Sequence, residues 1–157
     1  MSIEQRQQLA EEYFLQGFNC CQAVMMAFRD ITGLDETTTL KVASAFGGGI
    51  ARMREVCGTV SAMAMICGFL VPATDPESNS VKKDNYALMQ KFAERFREGK
   101  GSIICRELLG LRQGADKPVP SERTPEYYRT RPCAALVGYS ARILAEYLDN
   151  PASFGEK

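Results

Sequence analysis

Residues 47–49 are three consecutive glycines, followed closely by Arg52, Arg54, Cys57 and Gly58 and then by the most apolar segment of the chain, 60–71. No other feature constrains the fold as strongly. Glycine is costly inside a regular element and cheap where the backbone takes positive φ or approaches a neighbour closely. The triplet therefore predicts a turn, and the apolar segment behind it predicts a buried helix. A helix start presents unpaired N–H groups. A cysteine placed there, with cations nearby, gains thiolate character. The stretch thus predicts a turn that delivers Cys57 to the start of a core helix.

The rest of the chain reads as helix, with no hairpin signal. Ser2 caps a first helix that ends near Gly17, and Asn19 caps a second that runs through Ile31 to a stop at Gly33. Asp35 caps a third, with Leu40, Val42, Ala43 and Phe46 as its apolar positions, closed by the glycine triplet. A fourth spans 55–70 and stops before Pro72; residues 74–80, with Asp75-Pro76, form a loop. Asn79 or Ser80 caps a fifth through about 98, with Tyr86, Met89, Phe92, Ala93 and Phe96 at helical spacing. Gly99 and Gly101 break it, Ser102 opens a short helix over 103–111, and residues 114–125, with three prolines, are irregular. The last helix covers 132–148 and ends at Asn150-Pro151. The expected architecture is all-α, one domain over residues 1–157, a bundle of five to seven helices.

Charge and length narrow the function classes. Nineteen basic residues balance nineteen acidic ones, so no general attraction to nucleic acid or anionic membrane is expected. The segment 60–71 is too short for a span of roughly 20 apolar residues. The polar start, Met1-Ser2-Ile3-Glu4-Gln5-Arg6, does not read as a signal peptide. A cytoplasmic location is the expectation.

Histidine is absent, which removes Cys–His and Ser–His catalysis and His-ligated metals together. Six cysteines in such a chain point to redox or metal chemistry more than to structural disulfides. They sort by predicted helix face. Cys20, Cys57, Cys105 and Cys133 fall at four predicted helix N-termini. Three have arginine beside them in sequence: Arg52 and Arg54 before Cys57, Arg106 after Cys105, Arg131 before Cys133. Cys21 joins Val24, Met25, Phe28 and Ile31, and Cys67 joins Val60, Met63 and Leu70, as plain core positions. Cys57 shares a small face with Ser61, Ala64 and Gly68, and Cys20 shares one with Ala23 and Ala27. Helices meeting through these faces would bring Cys20 and Cys57 together. The intervals contain no C-x-x-C, so any shared site must be assembled by tertiary structure.

The ordered set Asn19-Cys20, Gly47-Gly48-Gly49 through Glu55-Val56-Cys57-Gly58, Cys105 and Cys133 resembles the C_GCAxxG_C_C family. These are small, mostly helical bacterial and archaeal proteins, described as redox-active from their cysteines. The resemblance implies Cys20, Cys57, Cys105 and Cys133 as the functional residues and leaves Cys21 and Cys67 outside the set. After Cys57 the chain departs from the family's Cys-Gly-Ala-x-x-Gly and reads Cys57-Gly58-Thr59-Val60-Ser61-Ala62.

Other features are weaker. Gly47, Gly48 and Gly49 with Arg52 and Arg54 could hold an anion or a cofactor phosphate, although neither a Walker A nor a Rossmann pattern is present. Arg123, Arg129 and Arg131 with Tyr127 and Tyr128 edge a substrate pocket or form a surface loop. Three functions remain open. The first is a thiol redox protein with its own redox partner, in which Cys20, Cys57, Cys105 and Cys133 exchange disulfides. The second is a zinc or iron–sulfur site on the same four thiols. The third is a non-catalytic helical module that forms a homo-oligomer.

Overall fold

The computed structural model describes residues 1–112 and 114–155, and among these the ordered elements are helices and 3₁₀ turns with no strand. The helices are α1 (Ile3–Leu15), α2 (Cys20–Ala27), α3 (Arg29–Thr32), α4 (Glu36–Ala43), α5 (Gly58–Leu70), α6 (Asn79–Lys100), α7 (Cys105–Leu108), α8 (Pro125–Thr130) and α9 (Cys133–Asp149). Six of them reach eight residues or more, within the expected five to seven. The additional ones, α3, α7 and α8, are short segments.

Side-chain caps fix where several helices begin. Ser2 accepts from Gln5 N–H and Asn19 from Gln22 N–H, each closed reciprocally by the glutamine side chain. Asp35 accepts from Thr38 N–H. The predicted second helix breaks at Phe28 (φ −120°, ψ 22°). Its cause lies in α1, where the buried Arg6 guanidinium donates to Ala27 O at 2.7 Å and clamps Asp30 with two further bonds. With that carbonyl taken, Ile31 N–H turns to Phe28 O.

The start of α5 also differs from the expectation. It begins at Gly58, because Glu55 N–H is held by Gly49 O and Val56 pairs with Ile104 in an isolated antiparallel bridge. The same bridge shortens the predicted 103–111 helix to the single turn α7. Gly99 does not stop α6; Tyr139 packs where its Cβ would stand, and the helix ends at Gly101 in the left-handed region. Helix α8 was not expected, yet its start is marked by Thr124 as cap and Pro125 in the first position.

Helices α2, α5 and α9 form the centre. α1 lies along α9, while α6 packs against α5 and α9. Phe14, Phe28, Met25, Met63, Ile66, Phe92, Phe96 and Leu144 are sealed from solvent. Each such side chain contributes about 1.5–3 kcal/mol by burial. Cys21 and Cys67 sit in this core, as their helical faces predict.

The glycine triplet becomes a left-handed turn. Gly48, Gly49, Ile50, Ala51 and Arg52 all have φ between 46° and 67°, and Arg54 follows at 61°. Each non-glycine residue there costs roughly 1–2 kcal/mol. Backbone bonds offset that cost, with Ala51, Arg52, Arg54 and Glu55 N–H donating to Ala45, Gly47, Gly48 and Gly49 carbonyls. Close approach explains the glycines as well. A Cβ on Gly47 would stand 2.7 Å from Asn19 Cβ, and one on Gly49 would stand 2.6 Å from Cys105 Cβ.

Gly49→Ala should therefore destabilise by about 2–3 kcal/mol through overpacking and positive φ. Gly68→Ala in α5, whose Cβ meets nothing within 4 Å, should be neutral or stabilising by about 0.5–1 kcal/mol. Denaturant unfolding of both variants checks the pair, and equal effects would exclude this role for the turn.

Candidate functional site

All four cysteines at helix starts line one cavity of about 290 Å³. Cys20 is the first residue of α2, Cys57 the cap of α5, Cys105 the first residue of α7 and Cys133 the first residue of α9. Cys57, Cys105 and Cys133 are buried and Cys20 is half-buried. All four are free thiols.

Three local devices bring them together. The Val56–Ile104 bridge joins Cys57 N–H to Ile103 O (2.8 Å) and Cys105 N–H to Glu55 O (2.6 Å), so two distant cysteines share one backbone pairing. Gly58 seats α5 against α2: a Cβ there would stand 2.7 Å from Phe46 O and 3.3 Å from Cys20 Cβ. The left-handed turn presses on Cys105 through Gly49. The close approach of α2 and α5 thus runs through Gly58, not through the small face Ser61, Ala64 and Gly68. Ala64 and Gly68 on that face are exposed.

The thiols differ in their electrostatics, which corrects the expectation that each helix start yields a thiolate. Cys133 is lowered to about 7, first by hydrogen bonding from the neighbouring Cys20 thiol and then by the positive charge of Arg131, Arg123 and Arg54, against the effect of burial. The Cys20 thiol moves the opposite way, raised by that same contact and by burial. Burial pushes Cys57 up to about 11, partly offset by Thr59, whose hydroxyl lies 3.2 Å from the Cys57 sulfur. Cys105 is raised by burial although Arg54 Nη1 donates to its sulfur at 3.6 Å. Helix α7 is one turn long and lends Cys105 little dipole. Position at a helix start is outweighed by desolvation unless a cation cluster and a thiol donor act together.

Gly47, Gly48, Gly49, Arg52 and Arg54 also line the cavity. The N–H groups of residues 50–55 are spent in backbone bonds within and around the turn, so the turn is a support more than an amide nest. Arg54 is buried and pairs with Asp116 at 2.7 Å, while Arg52 binds Lys117 O, Ser121 Oγ and, at 3.6 Å, Asp116. Of Arg123, Arg129 and Arg131, the first and last reach the cavity together with Tyr127; Arg129 lies on α8, is exposed and pairs with Glu126. Asp116 was not anticipated, and nothing in its sequence neighbourhood signals a partner so far away. The Thr59 hydroxyl was visible only as a departure from the family pattern.

Among the described residues, no group of three or more Cys, Asp or Glu side chains is arranged to hold a metal ion. No described helix is long and apolar enough to cross a membrane.

Residues 18–147 match the family described as "Putative redox-active protein (C_GCAxxG_C_C)". No significant match to a curated protein or to a solved structure is found. The matched span takes in most of the chain and all four cavity cysteines, and the chain belongs to the C_GCAxxG_C_C family.

Proposed function

We propose that the protein is a thiol–disulfide redox protein whose working pair is Cys133 and Cys20. The observation that carries this reading is that Cys20, at the start of α2, and Cys133, at the start of α9, line one cavity together with Arg123 and Arg131, where the Cys133 thiol is held low and the Cys20 thiol high. A thiol poised near ambient pH combines a large thiolate fraction with retained nucleophilicity. The Cys133 thiolate attacks a disulfide, the substrate S–S bond breaks, and the departing sulfur takes from solvent the proton that Cys133 had released, leaving as a thiol. The Cys20 sulfur then attacks Cys133, its proton passes to the departing sulfur, and a second thiol leaves. Substrate gains two electrons and two protons, and the protein is left with a Cys20–Cys133 disulfide, which a dithiol partner reduces.

A zinc or iron–sulfur reading of Cys20, Cys57, Cys105 and Cys133 fits less well, since the four thiols line the cavity without converging as a ligand cage. Anaerobically purified protein should carry no stoichiometric zinc or iron by elemental analysis.

Iodoacetamide labelling followed by mass spectrometry tests the assignment. Cys133 should label with a midpoint near pH 7, because its proton leaves at lower pH than that of an ordinary thiol. Cys57 should stay unlabelled until far higher pH. After a disulfide oxidant, peptide mapping should show Cys20 joined to Cys133, and Cys20→Ser should arrest at a mixed disulfide on Cys133. Free Cys20 and Cys133 after oxidation would end the proposal.

Thr59→Val removes the hydroxyl at the Cys57 sulfur. It should slow Cys57 labelling at high pH several-fold and leave the Cys133 midpoint in place.

A further inference from the structure

The cavity has an unbalanced charge. Arg52, Arg54, Arg123 and Arg131 line it, and among the described residues no Asp or Glu does. Asp116 outside the lining serves Arg54 and Arg52 together. Arg123 and Arg131 make no ion pair among the described residues. They are held by aromatic rings instead: Arg123 lies 4.5 Å from the Phe14 centroid and 4.8 Å from Tyr127, and Arg131 lies 5.5 Å from Tyr127. Ring faces orient a guanidinium without neutralising it. Arg123 Nη2 reaches Phe18 O at 3.4 Å, while Nη1 is buried with no acceptor. Four guanidinium groups thus share one carboxylate in a chain whose total charge is zero.

Arg123 and Arg131 thus bring to the cavity wall a charge that no carboxylate among the described residues takes up in an ion pair, and an anion entering the cavity would meet it. Arginine's fixed fork suits carboxylate and sulfonate oxygens. The remaining lining is apolar, with Leu108, Leu109, Pro118, Pro120 and Leu136. The volume, about 290 Å³, suits a small molecule more than a protein loop.

We infer that the cavity takes small anionic disulfides, with Arg123 and Arg131 receiving a carboxylate or sulfonate group while the S–S bond lies against Cys133. This rests on the thiol redox reading and adds the substrate class. With 3,3′-dithiodipropionate the balance is as above: two 3-mercaptopropionate molecules leave with two protons, and Cys20 and Cys133 are oxidised to a disulfide.

Three aliphatic disulfides of similar size test it: 3,3′-dithiodipropionate (dianion), 2-hydroxyethyl disulfide (neutral) and cystamine (dication). Single-turnover rates of reduced protein are divided by the rates of the same disulfides with free mercaptoethanol. The dianion should exceed the neutral compound by roughly ten-fold or more, with cystamine slowest, and the advantage should shrink with salt. Arg131→Gln and Arg123→Gln should each collapse the anion-to-neutral ratio. That ratio is insensitive to a change in thiol reactivity common to all three compounds. Suberate, a dicarboxylate of similar length without sulfur, should slow iodoacetamide labelling of Cys133 in wild type and not in Arg131→Gln. Equal normalised rates with no suberate protection would overturn the anionic class while leaving the Cys133–Cys20 pair intact. No reaction of Cys133 with any of the three would overturn the redox reading and this inference with it.

Discussion

Two backbone hydrogen bonds, Cys57 N–H to Ile103 O and Cys105 N–H to Glu55 O, hold the cavity wall together. They belong to a single antiparallel bridge in an otherwise helical chain. Its consequences spread in both directions. It fixes where α5 can begin, so Cys57 caps that helix and its side chain stays beside Thr59. It also trims the following helical segment to one turn, which places Cys105 under Arg54. Arg106 reinforces the junction by donating to Arg54 O and pairing with Glu55. A helix packed against a helix would position thiols through side-chain contacts alone. A backbone pair positions them through groups that only a proline substitution removes.

The electrostatics follow from that placement. Desolvation alone would raise every thiol here; it leads at Cys57 and Cys105, while Cys20 is raised first by its interaction with Cys133 and then by burial. Cys133 escapes because two effects coincide: its interaction with the Cys20 thiol, and the positive charge of Arg131, Arg123 and Arg54 around the same cavity. The aromatic seats of Arg123 and Arg131 matter in this balance. A carboxylate partner would hold those arginines in position equally well but would cancel the charge that stabilises a thiolate. Stacking on Phe14 and Tyr127 keeps the charge available.

Much of this was legible in the residues. Helix starts at Ser2, Asn19 and Asp35 were marked by short polar caps whose partners lie three residues away, which is a local signal. The division of the cysteines into core and cavity followed from helical faces and from the family resemblance. What could not be read was non-local. The break at Phe28 depends on Arg6, the start of α5 on Ile104, and the neutralisation of Arg54 on Asp116. Thiol pKa values failed for the same reason, since burial is a property of the assembled cavity. Helix α8 is the exception, because its Thr124-Pro125 start was present in the sequence and was hidden by the prolines before it.

The left-handed turn connects these observations. Ile50, Ala51, Arg52 and Arg54 sit at positive φ, at a combined cost of several kcal/mol on a scale of roughly 1–2 per residue. An unstrained connection could join α4 to α5, so the strain must be maintained by what the turn touches. Its glycines fit against Asn19 and Cys105, leaving no space for a Cβ. Its arginines clasp the later loop, with Asp116 N–H on Arg52 O and Arg52 Nε on Lys117 O. The turn therefore acts as a spacer of fixed depth, placing Arg54 against Cys105 and Arg52 at the cavity wall and drawing the loop over them. Strain of this size persists when the surroundings over-determine it, and here those surroundings are the walls of the cysteine cavity.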